Sequence, residues 1–190
     1  MSGILDGIKI LDLSRILAGP YAAQMLSDLG ADVTKIEAPW GDDTRGWGPP
    51  FTTDFDGERV AAYFLCCNRG KSIVQMNLKE EKDRLMDMIK NADVVLENFK
   101  PGTADRIGLG YEVLKKINSK LIYCSISGFG QTGPYAQRPA IDPIIQAVSG
   151  VMSVTGEQDG PPMMAGYPLT DTVAGMYGAF AVVTALLKAR

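Results

Sequence analysis

"IKILDLSRILAGPYAAQMLSDLGADVTKIE" (residues 8–37) decides the fold. Its first seven residues (8–14) form a short apolar run rich in Ile and Leu, which predicts a mostly buried strand. "AGPYAAQMLSDLGA" follows and predicts a helix, with Pro20 as its first residue and Gly30 ending it. "DVTKIE" (32–37) predicts a second strand. Strand, helix and strand in so short a span make a βαβ unit, a parallel pair joined by a right-handed crossover.

The same rhythm continues downstream. Residues 59–67 read as a helix and "KSIVQMNL" as a strand. "KEEKDRLMDMIKNA" reads as a helix with its charges outward, "DVVLENF" as a strand, "YEVLKKIN" as a helix and "KLIYCSISGFG" as a strand. Strands alternating with helices of this length define an α/β fold, a Rossmann-like parallel sheet with flanking helices. Gly- and Pro-rich loops at 41–53, 128–139 and 156–168 fall where such sheets bind ligands, beyond the carboxyl ends of the strands. After residue 140 the pattern changes: "DPIIQAVSGVM" and residues 171–190 are helical with no strand between them. We divide the chain into a Rossmann-like part (1–170) and a long helix (171–190) leading toward a further domain. Small residues at Ala174, Gly175, Gly178, Ala179 and Ala181 give that helix a face for close approach, expected to meet segments beyond residue 190. Its apolar run, 172–187, falls short of a membrane span and reads as a buried helix.

Composition narrows the chemistry. The 190 residues are 46% hydrophobic and 22% charged, ordinary for a globular chain, and a net charge of −3 leaves no basic field for nucleic acid. Three cysteines, two of them adjacent, argue against a disulfide framework and for a reducing, cytoplasmic setting. No C-x-x-C pair suggests a zinc site, and no metal is expected. There is no histidine, which removes the commonest general base and every Ser-His or Cys-His nucleophile pair.

Four motifs carry possible chemistry. The turn "SRILAGP" has one glycine where a dinucleotide fingerprint needs three, so NAD binding of that type is not expected. "NRGKS" (68–72) suits either a phosphate-binding turn or a solvated basic turn, but lacks P-loop spacing. In "ENFKPGTADRIGLG" (97–110), Asn98 ends a strand and either offers a donor and an acceptor to a ligand or satisfies backbone groups in a tight strand-to-helix turn. Pro101 starts a short helix that carries Arg106 toward the same crevice. In "PLTDTVAGMYGA", Thr170 reads as a helix cap and Asp171 as a first-turn acid. On local pattern alone that is an ordinary helix start; the other reading uses the same physics, the dipole and free N–H groups keeping the Asp171 carboxylate ionised and aimed into a crevice.

Taken together these segments resemble the N-terminal half of the class III CoA-transferases, the formyl-CoA:oxalate, carnitine and bile-acid type. The likeness rests on residues 5–37 and on "GDDTRGW", "NRGKSI", "VLENFKPGTADRIGLGYE", "SISGFGQTGPYAQRPAIDPIIQAVSG" and "PLTDTVAGMYGA". The resemblance implies that Asp171 is the nucleophile and that coenzyme A, as acyl-CoA substrate, touches Ile16, Leu17, Ala18, Met76, Lys79, Asn98, Phe99, Arg106 and Arg138. Ala38 departs from relatives that carry an arginine near the adenine. It further implies an interlocked homodimer, roughly twice this length, acting on acyl-CoA and small carboxylic acids. Such transfer runs through a mixed anhydride and an aspartyl-CoA thioester, stabilised by backbone N–H groups at the Asp171 helix start or in glycine-rich loops. It needs no proton shuttle, which suits a chain without histidine. The alternatives are a 2-methylacyl-CoA racemase or an inactive chain that only binds CoA. The racemases use a histidine before an aspartate, where this chain has Ile141 before Asp142. The 190 residues alone are expected to show low activity.

Overall fold

The computed structural model describes residues 3–54 and 56–189. Its centre is a five-stranded parallel sheet in the order β5-β2-β1-β6-β7. The strands are β1 (Lys9–Asp12), β2 (Asp32–Glu37), β5 (Ser72–Gln75), β6 (Val94–Glu97) and β7 (Ile122–Ser125). Between β2 and β5 lie two further short strands, β3 (Phe51–Thr53) and β4 (Arg59–Ala61), paired antiparallel as a separate hairpin. The helices are α1 (Ala18–Asp28), α2 (Ala62–Cys66), α3 (Lys82–Lys90), α4 (Thr103–Arg106), α5 (Tyr111–Ile117), α6 (Asp142–Val148) and α7 (Leu169–Ala189).

The sheet is packed on both faces because its strands alternate between two cores. Ile10, Val33, Val94 and Leu96 meet Ala22 and Leu26 of α1 and Val182 and Leu186 of α7. Leu11, Ile36 and Val95 meet Leu85 and Ile89 of α3 and Leu114 of α5. The β1–α1–β2 unit lies where the opening stretch predicts it, with β1 in register against β2 from Lys9↔Asp32 to Asp12↔Lys35. Gly30 follows the end of α1 with φ +102, as a helix-ending glycine does.

Several details differ from the sequence reading. α1 starts at Ala18, so Pro20 is its third residue. A first-turn N–H has no partner within the helix, and proline loses nothing there. Residues 59–61 are strand rather than helix, with α2 following at once. Val60 is buried, and the Arg59 guanidinium lies 3.6 Å from the Phe51 ring centroid on the facing strand. α7 runs 21 residues and holds an 18-residue window of mean hydropathy 1.5, long and apolar enough to cross a membrane, so length alone does not decide against a span. Its packing places it in the α/β layer, buried only along the side facing α1 and the sheet. The small-residue face does not wait for a later segment, because α1 and Ile126 fill it. A Cβ on Gly175 would lie 2.7 Å from the Ala18 carbonyl oxygen, and one on Gly178 would lie 2.8 Å from Ile126 Cδ1.

Candidate active site

The three central strands each end on a buried acid: Asp12 on β1, Glu37 on β2 and Glu97 on β6. Isolated charged carboxylates in such a place would be costly, and two of the three, Asp12 and Glu37, come with cations. Lys71 Nζ donates to Asp12 (2.8 Å), to the Pro20 carbonyl (2.8 Å) and to Asn68 Oδ1 (3.0 Å), using its full donor capacity. Lys35 Nζ pairs with Asp42 at 3.0 Å and donates to the Ser14 carbonyl at 2.8 Å. Arg45 grips both oxygens of Glu37, at 2.9 and 3.1 Å. Burial works against ionisation of Asp12, but Lys71 and Lys35 outweigh it and hold the carboxyl below its ordinary range. Burial opposes ionisation of Asp42 too, and Lys35 and Thr44 overcome it. Glu97 has no such cation, and burial pushes it up. "NRGKS" is therefore divided: Arg69 and Gly70 are exposed, but the lysine serves the interior. Its lysine is fully buried, bracing the β1–α1 turn from below.

That turn sits beside the point where strand order reverses, between β1 and β6, where open α/β sheets bind ligands. Asn98, just past β6, spends its whole amide on one residue of the turn. Nδ2 donates to the Arg15 carbonyl at 2.7 Å, and Oδ1 accepts from the Arg15 N–H at 2.8 Å. Ile16 is held at φ +68, a left-handed conformation that a β-branched residue adopts at a cost of roughly 1–3 kcal/mol. The surrounding ties, including acceptance of the Ile16 N–H by Asp42 (3.3 Å), keep it there.

Three cavities run along the carboxyl edge of the sheet and share walls. The first, about 480 Å³, lies over β1, β2 and β5. Met76 is buried in its wall, and Lys79, Trp40 and Phe99 also line it. Phe99 also lines the second, about 210 Å³, where the Arg138 guanidinium lies 4.0 Å from the Tyr135 ring centroid. Asn98, Ser127, Gly128 and Ala140 are common to the second and the third, which is about 140 Å³ and ends on Asp171. Of the residues singled out from sequence, Ala18, Met76, Lys79, Asn98, Phe99, Arg138 and Asp171 line this groove. Ile16 and Leu17 form the turn beside it. Arg106 stays exposed on α4, bonded to the Thr103 hydroxyl at 3.2 Å, and lines none of the three cavities.

Asp171 is half-buried on the first turn of α7, and among the described residues no group donates a hydrogen bond to its carboxylate. Burial, and then the charge of Asp142, raise it to about 6. The sequence reading of this turn is corrected here: the local environment raises Asp171 rather than favouring its ionisation. Thr170 is not the cap, since it lies inside the helix. The cap is Asp142, from the start of α6. Its Oδ1 accepts from the Thr170 N–H (2.8 Å), the Thr170 hydroxyl (2.7 Å) and the Asp171 N–H (3.3 Å). Those helix-start N–H groups are thereby taken, and the Ser127–Gly128 loop lines the same cavity. Asp142 and its partner Gln146 are the site residues that sequence reasoning missed. Their signals are an i,i+4 polar pair in the otherwise apolar "IDPIIQAV" and, for Asp142, its match to the aspartate that follows the racemase histidine, neither of which assigned a role toward Asp171.

A groove that crosses the switch point of a doubly wound sheet, and ends on an acid to which no described residue donates, marks an α/β domain with a candidate ligand site along its carboxyl edge. Residues 5–190 match CoA-transferase family III, and the chain belongs to that family. It is 51% identical over 189 residues to a succinate–glutarate CoA-transferase of Agrobacterium fabrum, covering 97% of this chain and 47% of that one. It is 47% identical to the acetyl-CoA:oxalate CoA-transferase of Acetobacter aceti, again over 97% of this chain and 47% of the relative. The crystal structure of a CAIB/BAIF family protein from Brucella suis superposes with a TM-score of 0.94 at 50% identity, over 99% of this chain and 50% of that one. The chain thus spans about half the length of these relatives.

Proposed function

We propose that this chain supplies the CoA groove and the nucleophile of a CoA-transferase, with Asp171 as the residue that becomes acylated. One observation supports this above the rest: a half-buried carboxylate without hydrogen-bond donors, at the end of a groove long enough for an extended ligand. A carboxylate raised to about 6 is still largely ionised near neutral pH and is a stronger base than an ordinary aspartate.

Asp171 attacks the thioester carbonyl of the donor acyl-CoA. The C–S bond breaks and CoA thiolate leaves, giving a mixed anhydride. The thiolate then attacks the Asp171 carbonyl carbon, and the acyl group departs as a free carboxylate, leaving an aspartyl-CoA thioester. An acceptor carboxylate reverses the two steps. Each nucleophile and leaving group is an anion, so no proton moves. Holding CoA along the groove keeps the thiolate near Asp171 between steps. The Ser127–Gly128 loop faces the same cavity and supplies the oxyanion contacts. The relatives' substrates point to short dicarboxylic acids as the exchanged acids, and we place the complete protein in the cytoplasm as a homodimer. Racemisation finds no support, since Ile141, which stands where the racemase base would, lines the Asp171 cavity with an aliphatic chain.

The test is hydroxylamine trapping with a panel of acyl-CoA donors, read by mass spectrometry of the peptide containing Asp171. We expect a hydroxamate on Asp171 that is lost in Asp171→Asn. A label on another residue overturns the assignment, and donor-dependent deuterium wash-in at the α-carbon without acceptor favours the isomerase.

A further inference from the structure

We propose that Asp142 is the positioning residue of the Asp171 nucleophile, fixing the turn that presents the carboxylate and supplying the negative charge against which it must ionise. This rests on the reading of Asp171 as the acylated residue.

The geometry is one continuous chain of contacts. Gln146, wholly buried, accepts the Ala165 N–H on Oε1 (2.9 Å), which fixes the loop entering α7. Its Nε2 donates to Asp142 Oδ2 at 2.6 Å. The other oxygen of Asp142 takes the two backbone N–H groups and the hydroxyl at the start of α7. One buried carboxylate therefore carries the load from α6 to the residue that reacts. It stays charged while doing so. Burial opposes its ionisation, but the Thr170 hydroxyl, the Gln146 amide and the two backbone donors outweigh that and lower it. An ordinary side-chain cap would come from the residue preceding the helix. This one comes from 28 residues away, on the element that continues from the cavity wall (Gly128, Ala140, Ile141).

The other charged or titratable groups around Asp171 do not substitute for it. Tyr63 on α2 is pushed up to about 12 by burial and then by Asp171, and Cys67, just past the end of that helix, also to about 12 by burial, so both are neutral in the working range. Lys100 and Arg138 line the adjoining cavity rather than that of Asp171. Tyr21 of α1 lies against Gly175, one turn further along α7.

Two variants of the full-length protein separate aim from charge. Asp142→Asn keeps the acceptor and removes the charge. The Asp171 carboxyl, followed by carbon NMR, should then titrate about one unit or more lower, and the acid limb of kcat should move with it. Asp142→Ala also removes the acceptor. It should lower kcat about 100-fold while KM for acyl-CoA changes less than about threefold, since most of the groove lies elsewhere. Asp142→Asn covers the case in which Asp142→Ala fails to fold. An unchanged Asp171 titration in Asp142→Asn overturns the proposal, as does a loss in Asp142→Ala confined to KM. The NMR titration needs no turnover, so it decides Asp142's influence even if trapping moves the acylated residue elsewhere.

Discussion

Asp171 carries a cost that its surroundings do not relieve. Its pKa of about 6 in the folded protein lies above the 3.8 of an unperturbed aspartate, so the folded state holds the proton more tightly. Stability is therefore penalised fully above pH 6, and the penalty fades as pH falls through 6 toward 4. Asp171→Asn should raise the urea midpoint at pH 8 and change it little at pH 4. Equal shifts at both values would sink this account. The same ionisation should give kcat/KM an acid limb near pH 6. The sequence placed Asp171 at the helix start correctly but misjudged what holds it. A cap and its acid can be read from neighbouring letters, whereas a cap supplied from Asp142 is a product of tertiary structure.

Among elements, α7 shows how a local pattern can be right and its partner wrong. The small residues do mark a close approach, but the approach is to α1. Gly175→Ala should destabilise by roughly 1–3 kcal/mol, because the Cβ meets the Ala18 carbonyl, which is backbone. Gly178→Ala crowds the flexible end of Ile126 and otherwise meets the Ala22 Cβ at an ordinary 3.6 Å, and the better helix propensity of alanine, up to ~1 kcal/mol, offsets the contact. Thermal denaturation of the two variants should rank them in that order, and equal losses would mean the α1–α7 contact is looser than described. The β-strands of the central sheet were legible because each is a compact apolar run closed by a turn. The β3–β4 hairpin was not. "RVAAYFLCC" has no period that separates strand from helix, and its first three residues are strand only because Phe51–Thr53 lies opposite.

On the scale of the whole molecule, the groove spans from Trp40 to Asp171, so its two ends should be separable by ligand. Full CoA at about 100 times its Kd should add about 2.7 kcal/mol to stability in a thermal melt. Adenosine 3′,5′-bisphosphate and pantetheine should each stabilise less. Trp40→Ala should weaken the nucleotide half alone. Loss of both fragments together in that variant would mean the cavities do not act as one elongated site with distinct ends. The groove as a whole could not be read from single motifs, because it joins loops from β1, β2, β5, β6 and β7 that only the sheet order brings side by side.

The buried pairs beneath this groove, Asp12 with Lys71 and Lys35 with Asp42, have a consequence for descent. Replacing one member strands its partner, at about 3–5 kcal/mol, a large part of a domain's whole stability. Those four positions can drift only by coordinated double exchange, which point mutation seldom supplies. The rim has no such lock. Residues lining the groove above can be exchanged one at a time while the floor beneath them stays fixed.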